Sequence, residues 1–359
     1  MLRLSQLLLM LTKIFIQLAI FVALQILILA PETYNLSTDF TYGNTFICKL
    51  DASGKFLWAK HFRGDGSASG SSIAVDANGN VYTTGLFFGT ADFDPGSEIY
   101  NLISNGYYTA DVFVSKLDAS GNFLWAKRMG GTADYAGDNG TSIAVDVNGN
   151  VYTAGYFFGT ADFDPGSGTY NLTSLGEYDG FVFKLDASGN FLWAKQFGQS
   201  LSDMGTCVAV DANGNVYTTG YFSGSPDFDP GPGTYSMPAA GYSDVFVSKL
   251  DASGNFLWAK QLGGMNDDVG YAIAVDINGN VFTTGRFHGT ADFDPGPSTY
   301  NLTPDDSYDI FVSKLDNSGN FLWAKQMNGE IHYEGNRVHP KLSHLSCLFQ
   351  IGMLKVCFN

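Results

Sequence analysis

Charged side chains are scarce in this chain of 359 residues, and acids outnumber bases. Charged residues make up 15% of the sequence, and 35 acidic against 19 basic groups give a formal net charge of −16. A typical soluble domain has about a quarter of its residues charged. A nucleic-acid-binding surface needs clustered Lys and Arg to neutralise phosphates. The composition therefore predicts no nucleic-acid partner.

Cysteine and histidine are also rare, with four and five copies. The four cysteines, Cys48, Cys207, Cys347 and Cys357, form no C-x-x-C pair, so they predict neither a zinc site nor a disulfide framework. Cys48 and Cys207 replace ordinary strand residues, which predicts buried thiols. The sequence contains no G-x-S-x-G, no H-E-x-x-H and no P-loop. It therefore predicts no catalytic and no organic-cofactor-binding residue.

A long apolar run occurs at the N-terminus. Arg3 and Lys13 precede the uncharged segment 14–30. A basic start followed by an apolar run is typical of an export signal or of an N-terminal membrane anchor. The run is longer than an ordinary signal core, and Pro31 directly after it disfavours cleavage there, which favours an anchor with the rest of the chain outside. Residues 1–30 are predicted to be a signal peptide or an anchor, and membrane contact is expected through this segment alone.

Glycine, with 43 copies, and aromatic residues, at 15%, are abundant, and both follow a repeat. The string FLWAK occurs five times with all five tryptophans in its third position, while VD-x-NGNV and DFDPG occur four times each. Recurrence of several motifs in one order indicates a repeat protein. The three strings begin at Phe56, Phe123, Phe191, Phe256 and Phe321; at Val75, Val145, Val210 and Val275; and at Asp92, Asp162, Asp227 and Asp292.

One period reads as two β-hairpins. Runs of Val, Ile, Tyr, Phe and Thr alternate with turns rich in Asn, Asp and Gly. Four antiparallel strands are the content of one blade of a β-propeller, whereas solenoid repeats are shorter. The predicted fold is all-β, a β-propeller of four-stranded antiparallel blades. In the period that covers residues 142–195, the predicted strands are 142–146, 151–157, 180–185 and 191–195.

The combination of DVFVSKLDASGNFLWAK, SIAVDANGNVYTTGYF and GTADFDPG-x-GTYNLT resembles the bacterial SBBP-type β-propeller repeat family. The resemblance extends from Thr33 to Gly329. It implies an exported or cell-surface bacterial protein without an assigned activity, and the family name implies seven blades.

The chain shows fewer repeats than that name implies. Four complete periods and one N-terminal hairpin, over residues 44–60, occupy the region 31–329, and the tail 330–359 differs in composition. Two explanations are open. The tail supplies two strands that pair with the N-terminal hairpin and close a five-bladed ring, since terminal repeats are often atypical. Alternatively the tail comes from a truncated or frameshifted reading frame, and the ring is incomplete.

The aspartates of DFDPG are the candidate metal ligands. Two carboxylates two positions apart in a bending loop are typical of calcium loops, but no further acidic ligand recurs at the expected spacing. An Asp-Pro-Gly turn in which Asp bonds the backbone explains the same pattern. Calcium is thus the candidate cofactor. Its candidate ligands are Asp92, Asp94, Asp162, Asp164, Asp227, Asp229, Asp292 and Asp294.

The best-repeated residues are expected to have structural roles. The tryptophans are predicted to fill the space between adjacent sheets, and the Asp and Asn of the turns to bond backbone amides. An active site needs different residues in different roles. The leading hypothesis is therefore a non-enzymatic binding or structural module at the cell surface, with a protein or glycan partner. The alternatives are an extracellular hydrolase or lyase with a site in the propeller channel, and a truncated product without independent function.

Overall fold

The computed structural model describes most of the chain. Before residue 44 it describes the backbone of four strands only. From residue 44 to residue 327 it describes the chain apart from 52, 64–66, 107–108, 133–136, 200 and 306. The described residues form strands and turns, which confirms the all-β prediction. No helix with the length and apolarity of a membrane span occurs in this part of the chain.

Four copies of an antiparallel module follow one another from Ser67 to Met327, and they are numbered 2 to 5 because a further module precedes them. Each copy contains four long strands, and three of the copies also contain two short strands. Module 2 comprises β7 (Ser67–Val75), β8 (Val81–Phe88), β9 (Thr90–Asp92), β10 (Asn101–Ile103), β11 (Asp111–Leu117) and β12 (Phe123–Gly131). Module 3 comprises β13 (Asn139–Val145), β14 (Val151–Phe157), β15 (Thr160–Asp162), β16 (Asn171–Thr173), β17 (Asp179–Leu185) and β18 (Phe191–Phe197).

The last two modules repeat this plan. Module 4 comprises β19 (Met204–Val210), β20 (Val216–Phe222), β21 (Asp244–Leu250) and β22 (Phe256–Gly264). Module 5 comprises β23 (Val269–Val275), β24 (Val281–His288), β25 (Ala291–Asp292), β26 (Asn301–Leu302), β27 (Tyr308–Leu315) and β28 (Phe321–Met327). In each module the four long strands are hydrogen-bonded in chain order, so the two predicted hairpins per period are confirmed.

The segment between the two hairpins, predicted as a loop around 162–168, contains two short strands as well as that loop. In modules 2, 3 and 5 it forms a short hairpin: β9 pairs with β10, β15 with β16 and β25 with β26. This hairpin pairs with the last strand of the preceding module, as Gly130 does with Asp162 and Gly263 with Asp292. Strands of two or three residues are too short to show the alternation by which strands are recognised in a sequence.

The chain before module 2 forms a further antiparallel arrangement. Its strands are β1 (Arg3–Leu9), β2 (Phe15–Phe21), β3 (Gln25–Leu29), β4 (Glu32–Leu36), β5 (Asn44–Leu50) and β6 (Phe56–His61). Module 1 is the set β1, β2, β5 and β6, in which β2 pairs with β5 from Phe15↔Leu50 to Phe21↔Asn44. The two tail strands were predicted to pair with the N-terminal hairpin, which is β5 and β6. In the structure the side of β5 that faces away from β6 is paired with β2. The tail lies outside the described residues, so its role stays a prediction, as does the signal or anchor.

The described chain divides into two compact units, and their boundary passes through module 3. Each unit has an apolar core built from the inward faces of its strands. In the first unit Phe93, the central residue of DFDPG, lies with its ring centroid 4.8 Å from that of Phe62 and 4.9 Å from that of Phe113. In the second unit Phe293 contacts Phe287 and Phe311 in the same way. The DFDPG loop is therefore anchored in the core by its phenylalanine.

Four of the five tryptophans of FLWAK, Trp58, Trp125, Trp193 and Trp258, link adjacent modules, as predicted. Trp58 is half-buried and its indole nitrogen donates a hydrogen bond to Ala119 O, 3.2 Å away, in the last turn of module 2. A glycine in that turn, Gly121, lies directly against the indole ring, which leaves no room for a side chain at that position. The same bond links module 2 to module 3, module 3 to module 4 and module 4 to module 5.

Candidate functional site

The DFDPG loops are held by their own carboxylates. In the loop of module 3, Asp162 Oδ1 accepts hydrogen bonds from Asp164 N (3.0 Å) and Tyr170 N (2.8 Å), and Asp164 Oδ1 accepts one from Gly166 N (2.8 Å). These bonds close the loop around the proline and the glycine. They are repeated by Asp92 and Asp94, by Asp227 and Asp229, and by Asp292 and Asp294.

This geometry bears on the calcium prediction. One oxygen of each of the eight aspartates is occupied by backbone amides, as an Asp-Pro-Gly turn requires. Among the residues that the structure describes, no group of three or more His, Cys, Asp or Glu side chains has the arrangement of a metal site. A calcium ion at these loops would therefore depend on the remaining carboxylate oxygens and on carbonyls or water. Calcium binding stays a prediction.

A groove lies where the DFDPG loop of module 5 meets module 4. It has a volume of about 360 Å³ and is lined by Tyr235, Lys260, Gln261, Asp292 and Asp294, with apolar and backbone atoms between them. The groove exists because β25 pairs with the end of β22 and so carries the loop alongside the FLWAK strand. Tyr235 is fixed by its hydroxyl, which donates to Ala259 O at 3.2 Å.

An equivalent groove lies between modules 2 and 3. It has a volume of about 200 Å³ and is lined by Tyr100, Lys127, Arg128, Asp162 and Asp164, which occupy the same repeat positions. One lining position differs in charge, because an arginine stands where the other groove has a glutamine. The two grooves are therefore variants of one site that the repeat generates at the junction of modules 2 and 3 and at the junction of modules 4 and 5.

The tyrosine of the groove is presented in the same way in every module from 2 to 5. Its ring packs on the phenylalanine of FLWAK at a centroid distance of 4.7 Å in module 2 and 5.0 Å in module 4. These tyrosines remain 36 to 39% exposed. A rigid aromatic face that stays accessible is suited to packing against a ligand. The four pairs are Tyr100–Phe123, Tyr170–Phe191, Tyr235–Phe256 and Tyr300–Phe321.

Buried aspartates, not predicted as site residues, support the groove from below. Asp244, at the start of β21, is fully buried, and its Oδ2 accepts a hydrogen bond from Gln261 Nε2 at 2.7 Å. Asp111 holds the same position in module 2, where Arg128 lies 3.2 Å from its Oδ2. Burial raises the pKa of both carboxyls to about 6.

The sequence carried a signal for these acids. An aspartate precedes the apolar run of β11, β17, β21 and β27 in each copy, and a charged residue at the start of a fully buried strand is rare unless it is hydrogen-bonded. The aspartates of the more conspicuous DFDPG string were predicted as the site residues instead. The structure brings both sets to one junction, with the DFDPG loop on one wall and the buried acid beneath.

The buried thiols are confirmed for the two described cysteines. Cys48 and Cys207 are buried, and burial raises the pKa of Cys48 to about 11. His288 of module 5, which stands where the other modules have Phe88, Phe158 and Ser223, is half-buried and its ring stacks on Tyr308 at 4.7 Å. Cys347 and Cys357 lie outside the described residues.

Comparison with known families identifies the repeat. The SBBP family model, described as a beta-propeller repeat, matches residues 124–156, 192–224 and 257–289. Each match runs from the FLWAK strand of one module to the second strand of the next. The predicted resemblance is thus confirmed: the chain carries SBBP β-propeller repeats.

Two curated relatives are longer than this chain. The chain is 24% identical to an uncharacterized WD repeat-containing protein, L264, of Acanthamoeba polyphaga mimivirus, over 80% of this chain and 24% of the relative. It is 28% identical to the regulatory protein FlaEY of Caulobacter vibrioides, over 40% of this chain and 15% of the relative. The chain therefore spans about a quarter or less of the length of these relatives.

Solved structures show a weaker likeness. BamB from Moraxella catarrhalis is 12% identical with a TM-score of 0.30, covering 92% of this chain and 93% of that one. A protein of unknown function from Bacteroides caccae is 9% identical with a TM-score of 0.35, covering 79% of this chain and 90% of that one.

Proposed function

We propose that this chain, which is built from SBBP β-propeller repeats, is a non-enzymatic binding module at the cell surface that holds a protein or glycan partner in its junction grooves. The observation that carries the proposal is the recurrence of one groove at two junctions. A ligand with a repeating structure, such as a polysaccharide or an extended peptide, meets the same chemistry at successive sites. Linked sites of this kind gain affinity through effective concentration.

The groove chemistry favours a polar ligand. Each groove offers one tyrosine face, a lysine, and two aspartates whose second oxygens are not used in closing the loop. A volume of about 200 to 360 Å³ is at or below the lower end of ordinary ligand sites, so each groove accommodates a short segment of a larger molecule. Saccharide rings supply the hydroxyl groups and the apolar face that such a surface complements, which makes a glycan the first ligand to test.

The repetition also favours a module over an enzyme. A hydrolase or lyase needs a cluster of unlike residues at one place, with separate roles for acid, base and transition-state stabilisation. The grooves instead repeat the same residue types in the same order, apart from Arg128 in one groove at the position of Gln261 in the other. Display outside the cell rests on the basic and apolar segment 1–30 and remains part of the proposal.

The test is a binding screen with groove variants of the full-length protein. Wild type is applied to an array of bacterial and plant oligosaccharides and to an array of extended peptides. The double variant Tyr100→Ala with Tyr235→Ala removes the aromatic face of both grooves. A matched double variant, Leu124→Ala with Leu257→Ala, changes residues that are 47% exposed on the same strands but outside the groove linings.

We expect a loss of apparent affinity of at least tenfold in the tyrosine variant and little change in the leucine variant, because loss of linked sites removes avidity. Equal binding by the tyrosine variant and wild type would contradict the groove assignment. Cleavage of an arrayed oligosaccharide by wild type would contradict the non-enzymatic assignment.

A further inference from the structure

Two buried aspartates meet at each of three junctions. One member starts the third long strand of a module, and the other lies just before or at the start of the next module. Each of the six side chains belongs to a residue that is at most 4% exposed. The pairs are Asp111 with Asp138, Asp179 with Asp203, and Asp244 with Asp268.

The second aspartate of each pair is fully engaged as a hydrogen-bond acceptor. Asp268 Oδ1 accepts from His288 N at 3.0 Å and its Oδ2 from Gly264 N at 2.7 Å. Asp203 accepts in the same way from Ser223 N and Gln199 N. Two amide donors fix the carboxylate plane, so this member remains an acceptor.

The first aspartate of each pair has one oxygen without a donor. Asp244 Oδ2 accepts from Gln261 Nε2 and from a backbone amide, whereas Asp244 Oδ1 is buried and has no hydrogen-bond partner. The corresponding Oδ1 atoms of Asp111 and Asp179 are likewise buried without a partner. Leaving a buried polar atom unpaired costs stability, and three occurrences at equivalent positions indicate a common cause.

The unpaired oxygen lies close to the second carboxylate. A Cβ placed on Gly263, which has a φ of 155°, would lie less than 3 Å from both Asp244 Oδ1 and Asp268 Oδ2. The glycine thus brings its backbone against both carboxyl groups at this junction. Protonation is the simplest change that gives the unpaired oxygen a hydrogen bond, because a carboxylic acid donates where a carboxylate only accepts.

We propose that each aspartate pair shares one proton, which resides on Oδ1 of the first member and is donated to a carboxylate oxygen of the second, and that this proton holds the floor of the groove in place. Protonation turns the unpaired acceptor into a donor, and the second carboxylate is the acceptor within reach. Like-charged carboxylates in one buried site cannot both ionise without a large cost.

The pKa directions agree with the geometry. Burial, followed by smaller contributions that include the neighbouring carboxylate, raises the pKa of Asp138, Asp203 and Asp268 to about 7. The pKa values of the first members are raised as well, again by burial, to about 6 for Asp111 and Asp244.

Few other charges face the pairs. Around Asp244 and Asp268, the adjacent charged residues are Asp267 on the same segment, and Lys260 and Asp292 in the groove wall. The ring of His288 stacks on Tyr308, and its backbone amide is the group that contacts Asp268.

The other two pairs differ in their surroundings. Arg128 forms an ion pair with Asp111 but does not bring its pKa down to the ordinary value. Gln196 takes the place of this arginine beside Asp179, and Glu177 lies nearby on the loop before β17, where its Oε2 accepts a hydrogen bond from Ser202.

The first junction provides a natural comparison. Asn44 and Ala68 occupy the positions of the two aspartates, and their backbones pair directly. Asn44 is buried and neutral at every pH, so this junction has no proton to lose. Substitution of the acid pair by Asn and Ala is therefore compatible with a junction of this fold.

The consequence for binding rests on the proposed function, whereas the shared proton does not. Gln261 and Gly263 line the groove between modules 4 and 5, and both contact the acid pair beneath it. Loss of the proton places a second charge under this surface. Ligand affinity is then expected to fall as the pH rises through about 7.

The test uses the full-length protein without ligand, so it is independent of the binding screen. Urea unfolding is measured from pH 4.5 to pH 8, a range that brackets the raised pKa values near 6 and 7. Wild type is compared with the triple variant Asp138→Asn, Asp203→Asn and Asp268→Asn. The shared protons bind to the folded state and are released on unfolding, so they stabilise the fold below the unfolded pKa near 3.8 and this contribution is lost as pH rises through about 7. The control triple variant is Asp118→Asn, Asp186→Asn and Asp251→Asn, in exposed turns.

We expect the fall of stability with pH near pH 6 to be less steep in the buried-pair variant than in wild type, because a neutral Asn no longer disfavours ionisation of the first member. The turn variant is expected to keep the wild-type slope there. An unchanged slope in the buried-pair variant would overturn the proposal. If that variant fails to fold, the proposal is tested on wild type by the infrared carbonyl band of a protonated carboxylic acid. The shared proton requires this band to be present at pH 5 and to diminish by pH 8, and its absence at pH 5 would overturn the proposal.

A cation in place of the proton gives a different result. Calcium added to wild type at pH 8 would then raise the urea midpoint, and the Asp244→Asn with Asp268→Ala variant, which mirrors Asn44 and Ala68, would lose part of that gain. This outcome would overturn the shared proton.

Discussion

The indole nitrogen of Trp258 donates a hydrogen bond to the carbonyl oxygen of Asn317, 3.1 Å away. This bond joins β22, the last strand of module 4, to the last turn of module 5. The carbonyl of Asn317 also accepts a bond from Lys249 Nζ at 3.3 Å. One turn residue thus receives two side chains from the neighbouring module. Junctions of this fold depend on a few such bonds as well as on apolar packing.

Removal of this donor tests its contribution. Trp258→Phe keeps an aromatic ring but loses the N–H group, and we expect a loss of about 1 kcal/mol in the free energy of unfolding measured with urea. Leu257→Ala, on the same strand and 47% exposed, is the control and should change stability less. A Trp258→Phe variant as stable as wild type would show that the hydrogen bond is energetically neutral.

The phenylalanine of DFDPG is expected to be the residue on which the loop depends most. Phe293 is 1% exposed and packs against Phe287 and Phe311. Phe293→Ala should cost about 3–5 kcal/mol, the usual range for a buried aromatic residue. Thermal or urea unfolding gives the value, and Phe293→Leu should recover more than half of it. A cost below about 1 kcal/mol would contradict an anchoring role.

Calcium binding by the DFDPG loops has a direct thermal signature. An ion bound only to the folded state raises the melting midpoint by mass action, so wild type with millimolar calcium should melt higher than wild type with a chelator. The variant Asp162→Asn with Asp292→Asn should show a smaller difference. A midpoint that does not depend on calcium would exclude these loops as calcium sites of useful affinity.

The two described thiols should resist modification. Cys48 is buried and burial raises its pKa to about 11, so it holds little thiolate at pH 8, and Cys207 is buried too. Peptide mapping by mass spectrometry after treatment with a thiol reagent should find neither residue labelled in the native protein and both labelled in urea. Rapid native labelling of Cys48 would indicate that module 1 opens readily.

The turn aspartates predict a pH effect of opposite sign to that of the buried pairs. Burial is the largest single effect on Asp186 and raises its pKa, but the hydrogen bonds from Asn190, Ser188 and Gly189 together outweigh it and lower the pKa overall. A lowered pKa stabilises the fold above about 3.8, and this contribution is lost as the pH falls through the folded value. Asp186→Asn should therefore reduce stability at pH 6 and should change it less at pH 3, as urea titrations at the two pH values will show.

Much of the fold was readable from the sequence because the long strands combine β-formers with Asn-Gly turns. The hairpins of 142–195 were placed within a few residues of β13, β14, β17 and β18. The short hairpin was missed because its strands have two or three residues, too few to show an alternation, and its pairing with Gly130 of the preceding module is not local.

The site was predicted only in part, for a related reason. DFDPG was conspicuous and its aspartates do line the grooves, but the lysine, tyrosine and glutamine opposite them come from other strings. The buried acids looked like ordinary strand starts, because a sequence shows the residue type and not its burial. The pairing of Asp244 with Asp268 needs the backbone of Gly263 to bring two modules together.

Each family match starts on the last strand of one module and ends on the second strand of the next, so the matched unit spans a boundary between two modules. Duplication of a whole period copies both halves of the junction at once, because each period supplies one tryptophan and one acceptor turn. An array built in this way is expected to lengthen or shorten by whole units without new surfaces having to be matched. Its stability should then change by similar increments with each copy, as nearest-neighbour models of repeat proteins describe.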